Sequence, residues 1–181
     1  ATVSTSIATD ITNLQSTTSS TVFAATLNTT AILQGQQSVD DGLSRIAQIE
    51  DLLTKIDDLA KTAQSMSDTD DHSALEASFL DYRTQIRDLI TTPGTGLDNL
   101  LNNSPDTNYT ISAGNTVTAH AGYDLLSSIA DVLDAGSLST QADAAILRNT
   151  TIQVTTGSDG LKAKLTDDKK IFDRIVSVYD P

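Results

Sequence analysis

Residues 31–66 read AILQGQQSVDDGLSRIAQIEDLLTKIDDLAKTAQSM, and this run decides the fold. Val39, Leu43, Ile46, Ile49, Leu53, Ile56, Leu59, Ala63 and Met66 follow one another at steps of three and four. That spacing places them on one face of a helix. Arg45, Glu50, Asp51, Lys55 and Lys61 fall off the stripe, on the side that faces water. Gly35 and Gly42 each cost up to about 1 kcal/mol against Ala in a helix interior and read as bend points.

The same periodicity extends upstream. Half of the first 30 residues are Ser or Thr, yet Val3, Ile7, Ile11, Leu14, Val22 and Ala25 keep helical spacing. The expectation is one long helix over about residues 4–66, near 90 Å at 1.5 Å per residue. Because Ser and Thr are poor helix formers, its first part needs packing partners.

Downstream, a polar break at Ser67–His72 leads to Ser73-Ala74-Leu75-Glu76, which fits a capping box. Leu75, Phe79, Tyr82, Ile86 and Leu89 then mark a second helix over about 73–91, stopped by Thr92-Pro93-Gly94. A short connection between two helices predicts antiparallel packing with the apolar stripes facing. Between Asn108 and His120 the period changes to two, and Gly114-Asn115 reads as the turn of a hairpin over about 108–120. Helical patterning returns over about 122–135 and again over 138–179, through Leu138, Ala142, Ala145, Ile152, Leu161, Leu165, Phe172, Ile175 and Tyr179. Thr155–Gly160 weakens that last segment and reads as a loop, and Asp168 interrupts its stripe. The fold class is thus mainly α: one elongated antiparallel helical rod, residues 1–181, with one small β-hairpin.

Composition narrows the function. The 181 residues carry 24 acidic side chains and 11 Lys or Arg, a net charge of −13, with no Lys or Arg in 1–44 or 88–147. Phosphate binding needs clustered Lys and Arg, so nucleic acid is excluded as a partner. No apolar run approaches the roughly 20 residues of a membrane span, so membrane insertion is excluded for a helix. Cysteine is absent, which removes disulfides and thiolate metal sites.

Candidate sites are few. Asp68, Asp70, Asp71 and His72 gather oxygen donors suited to a hard cation, but a calcium loop needs Gly and Glu where Ser73 and Phe79 stand. A solvated connecting loop is the reading adopted. His72 and His120, the two histidines, lack any nucleophile at a useful spacing and read as surface residues. Thr155–Gly160 lacks the Gly-x-Ser-x-Gly pattern of a nucleophile elbow. No catalytic, cofactor-binding or metal residue is assigned, and the protein is read as a non-enzyme. Asn28, Asn108 and Asn149 match N-glycosylation triplets, read as chance in a Thr-rich chain.

The order of elements resembles the bacterial flagellin family, which includes the hook–filament junction proteins. Gln36–Ile46 resembles the family stretch in which a small residue and Leu precede a helical Ile. Leu53–Ala63 is similar to the end of its long helix, and Phe79–Ile86 to its returning helix. Gly96-Leu97-Asp98-Asn99-Leu100-Leu101 is similar to the turn that usually begins Phe-Asn-Gly, a triplet missing here. The family's terminal polymerisation helices find no counterpart, so a rod-domain core that stays monomeric alone is expected.

What the resemblance implies is a structural subunit of an extracellular flagellar filament that serves motility. Partners implied are neighbouring protomers, once terminal helices are present, and an export chaperone. A hook–filament junction protein and a surface protein that captures polysaccharide are the alternatives. Some family members are read by host receptors; the corresponding stretch, Leu52–Gln64, has Asp57 and Asp58 where Arg and Glu are usual, so recognition is not expected.

Overall fold

A computed structural model describes residues 27–102, 105–119, 125 and 133–179. Three helices and one hairpin are defined there: α1 (Thr29–Ser65), α2 (Ser73–Thr91), β1 (Thr107–Ser112), β2 (Asn115–Ala119) and α3 (Gln141–Tyr179). At 37 and 39 residues, α1 and α3 are each between about 55 and 60 Å long. Leu125 and Leu133 are both helical and fully buried. Of the helix expected over about 122–135, residues 122–124 and 126–132 lie outside the described residues, as do 1–26 and His120, and Asp134 and Ala135 form a turn rather than helix.

A single helix over 4–66 is not what forms. Asn28 is a non-helical N-cap whose side chain accepts from the Ala31 amide at 3.1 Å. That bond satisfies one of the free donors at a helix start. The Asn28 amide in turn donates to the Ile111 carbonyl at 2.7 Å, so the hairpin fixes where α1 begins.

The core is a seam between α1 and α3. Buried positions in α1 run Ile32, Gly35, Val39, Gly42, Ile46, Ile49, Leu53, Ile56, Ala60 and Ala63, alternating steps of three and four. In α3 the buried series is Ala144, Leu147, Thr151, Val154, Ser158, Leu161, Leu165, Asp168 and Phe172, with the same alternation. A 3-4 repeat keeps one line of each helix facing its partner over many turns. The helices run antiparallel, as the cross-links Gln36–Asp173, Asp40–Lys169, Glu50–Lys162 and Asp57–Arg148 require.

Gly35 and Gly42 are therefore close-approach points rather than bends. A β-carbon at Gly35 would collide with the Phe172 ring, and one at Gly42 would lie 3.1 Å from Leu165. Continued at seven-residue steps, this register sets Ile49 level with Ser158 and Ile56 level with Thr151, large against small. The two buried hydroxyls are satisfied within their own helix, Ser158 donating to the Thr155 carbonyl and Thr151 to that of Arg148. Hence Thr155–Gly160 is helix, not loop: Ser158 occupies a seam position, and the Thr155 and Ser158 hydroxyls bond back to the helix. Asp168, which seemed to break the stripe, is likewise a buried member of it.

Helix α2 packs antiparallel on α1, with Phe79, Ile86 and Ile90 buried. The expected capping box is not made. His72 takes the N-cap position, Asp71 accepts from the Ser73 amide at 3.0 Å, and Glu76 reaches away to the Leu138 amide at 2.6 Å. The last helix starts at Gln141 rather than 138, with Thr140 accepting from the Asp143 amide. In the hairpin, Tyr109 pairs with Val117 and both are buried. Its turn is Ala113-Gly114, with φ +80° at Gly114, and Asn115 already belongs to β2 opposite Ser112. The register shifts between Thr110 and Ser112, an irregularity that leaves Ile111 to receive the Asn28 amide.

Candidate functional site

Among the described residues, several polar side chains tie one element to another. On the α1–α3 seam, Asp57 accepts from Lys61 at 2.7 Å and from Arg148 at 2.9 Å, and Arg148 also donates to Gln64 at 2.9 Å. Burial pulls the Asp57 carboxyl up, but the bonds from Lys61 and Arg148 prevail and hold it below its ordinary value. Lys162 and Lys169 are pushed up, chiefly by their hydrogen bonds to Glu50 and Asp40. Part of the Leu52–Gln64 stretch is thus engaged by α3.

A second polar centre lies where the chain leaves α2. Asp98 accepts from Gln34 at 3.2 Å and from the Tyr109 hydroxyl at 2.7 Å, while its own amide donates to Ser38. It therefore ties the 92–102 turn to α1 and to the hairpin. Burial first, and then the neighbouring Asp98, push the Tyr109 phenol well above its ordinary range. Asn99 accepts from the Leu101 and Asn102 amides, and Leu100 and Leu101 beside it are buried. Sequence reading likened this turn to a family motif but did not identify Asp98 as its hub; the signal was an Asp beside paired buried leucines.

The 67–72 loop uses its acids structurally. Asp70 accepts from the Ser67 amide, Asp71 from Ser73, and Asp68 from the Gln141 amide at the head of α3. His72 is not a surface residue. It is 6% exposed, with Nδ1 2.7 Å from the Leu138 carbonyl and Nε2 3.0 Å from that of Ser67. Among the described residues no three His, Asp or Glu side chains are grouped to hold a metal ion. Asn28, Asn108 and Asn149 are all exposed; the first caps α1 and the second accepts from Thr118.

Between α1 and α2 runs a groove of about 800 Å³, lined by Leu52 and Leu89 together with Arg45, Lys55, Asp51 and Asp88. Its charges balance, and Arg45 is fixed by Asp41 at 2.7 Å and the Leu89 carbonyl at 3.0 Å. Large apolar side chains are exposed at Leu33, Leu80, Ile146, Ile171 and Val178. Leu33, Ile171 and Val178 lie toward one end of the α1–α3 pair, while Ile146 lies toward the other. What this arrangement offers is surface for packing, distributed along a helical pair.

No protein-family model matches the sequence, and no curated protein matches it. Among solved structures, the fold is similar to that in the crystal structure of Bacillus cereus flagellin. The TM-score is 0.53 at 17% sequence identity, over 82% of this chain and 84% of that one. At that identity the likeness is one of fold: a mainly helical, flagellin-like rod with one antiparallel hairpin.

Proposed function

We propose that this chain is the rod domain of an extracellular flagellin-type filament subunit, with a structural rather than catalytic role. The observation that carries the reading is the antiparallel α1–α3 pair with α2 and the hairpin laid along it, the arrangement shared with the flagellin fold. Two further features support it. Three ion pairs, Asp40–Lys169, Glu50–Lys162 and Asp57–Arg148, bridge α1 and α3, and apolar side chains at Leu33, Ile146, Ile171 and Val178 remain exposed for contact. In this reading copies pack laterally through helical faces, with affinity spread over many small contacts and completed by terminal helices, and an export chaperone holds the subunit before secretion.

The test is assembly of the full-length gene product. Salted out under conditions that polymerise a known flagellin, it forms filaments visible by negative-stain electron microscopy. Failure to do so, with the control polymerising alongside, contradicts the proposal.

A further inference from the structure

Both ring nitrogens of the buried His72 face backbone carbonyl oxygens, those of Leu138 and Ser67. A carbonyl only accepts, and a neutral imidazole carries a single N–H. The neutral ring would therefore satisfy one contact and set a lone pair against a lone pair at the other. The imidazolium donates to both. With so little of the ring exposed, water does not readily supply the missing donor, and the unmatched polar pair is costly.

The charged neighbours act in the same direction. Asp68 and Asp70 bear on the ring from its own loop, and Asp71 adjoins it. From α2, Glu76 holds the amide of the same Leu138 whose carbonyl meets Nδ1. From α3, the acid of the first turn is Asp143. There is no Lys or Arg in residues 62–82 or 135–147. Burial and the amino-terminal end of α2 oppose a cation here. The acceptors prevail: the bond to Ser67 first, against burial, then the Leu138 carbonyl and the two aspartates raise the ring above its ordinary value.

We propose that His72 is a proton-dependent clamp: as imidazolium it locks the α1–α2 connection to the segment leading into α3, and on deprotonation it lets that end of the rod loosen. The two anchor points are 66 and 5 residues away in sequence, so the side chain joins the α1–α2 connection to the segment before α3, beside the Asp68–Gln141 and Glu76–Leu138 bonds. Because the folded value is the higher one, the clamp's contribution is complete below about pH 6.5. It is lost as pH rises through the folded value.

The experiment is an NMR titration of the imidazole signals in a His120→Gln variant, which leaves His72 as the sole histidine. The expected midpoint lies above about 6.5, with faster amide exchange at residues 67–72 and 138 once the ring is neutral. In parallel, the Tm difference between the unaltered protein and His72→Gln narrows as pH rises from about 5.5 to about 8.5. A midpoint at or below the ordinary value, or a Tm difference that does not change with pH, overturns the proposal. Should either variant fail to fold, contacts from the ring protons to Leu138 assign the signal in the unaltered protein, and its midpoint decides.

Discussion

The ring of Phe172 in α3 occupies the space that a β-carbon on Gly35 of α1 would need. Phe172 is fully buried, and Tyr109 from the hairpin meets it edge-on, with centroids 5.5 Å apart and an 82° angle between ring planes. Edge-to-face packing of this kind is favourable beyond the area it buries. One glycine thus lets α1, α3 and the hairpin meet at a single point. It lies one heptad from the gentler contact of Gly42 with Leu165.

Gly35→Ala is expected to destabilise the protein by about 1–3 kcal/mol, the usual cost of overpacking a filled core. Helix propensity alone would favour Ala by up to about 1 kcal/mol, so the sign of the change separates packing from propensity. Gly42→Ala, where the contact is looser, is expected to be close to neutral. Equilibrium urea unfolding of both variants checks the order.

Leu53 is 2% exposed on the α1 seam. Leu53→Ala is expected to cost about 2–5 kcal/mol, and Leu53→Asp more, because it adds a carboxylate with no partner. Circular dichroism melts of the two variants give the comparison; an unshifted Tm for Leu53→Asp would put this face in water.

The Asp57–Arg148 pair links α1 to α3 while partly open to solvent, so Arg148→Ala is expected to cost about 1 kcal/mol or less. Its pH dependence has the opposite sense to that of His72. With the Asp57 carboxyl held below its ordinary 3.8, the pair contributes in full above that value and is lost as pH falls through the lower folded one. The stability difference between the unaltered protein and Arg148→Ala is expected to be constant from neutral pH down to about pH 5, and to shrink in stronger acid. Chemical denaturation across that range measures it.

The α1 stripe was legible because apolar side chains from Val39 onward carry the helical period. Val39, Ile46, Ile49, Leu53, Ile56 and Ala63 proved buried, whereas Leu43, Leu59 and Met66 are only half-buried at its edge. The starting residue of α2 was placed correctly, though by a capping box that is not made. In α3 the signal failed because Thr151 and Ser158 take seam positions level with the bulkier Ile56 and Ile49, and Asp168 takes another, so hydropathy dips where the helix is continuous. The reading of Ala142 and Ala145 as core missed Ala144 and Leu147 for the same reason. Gly35 and Gly42 looked like flaws in α1 since their value depends on what α3 brings against them, which no local window contains. His72 and Asp98 were misjudged or missed alike: each is defined by partners far away in sequence, a carbonyl 66 residues on for one and Gln34, 64 residues back, for the other.

The central claim is tested most directly where the protein acts, by gold-labelled antibody to this chain on whole source cells viewed by electron microscopy. A filament subunit predicts gold along the whole length of the extracellular filaments, and loss of those filaments when the gene is deleted. Gold confined to a short zone at the filament base, or spread over the cell body with filaments intact after deletion, would contradict it.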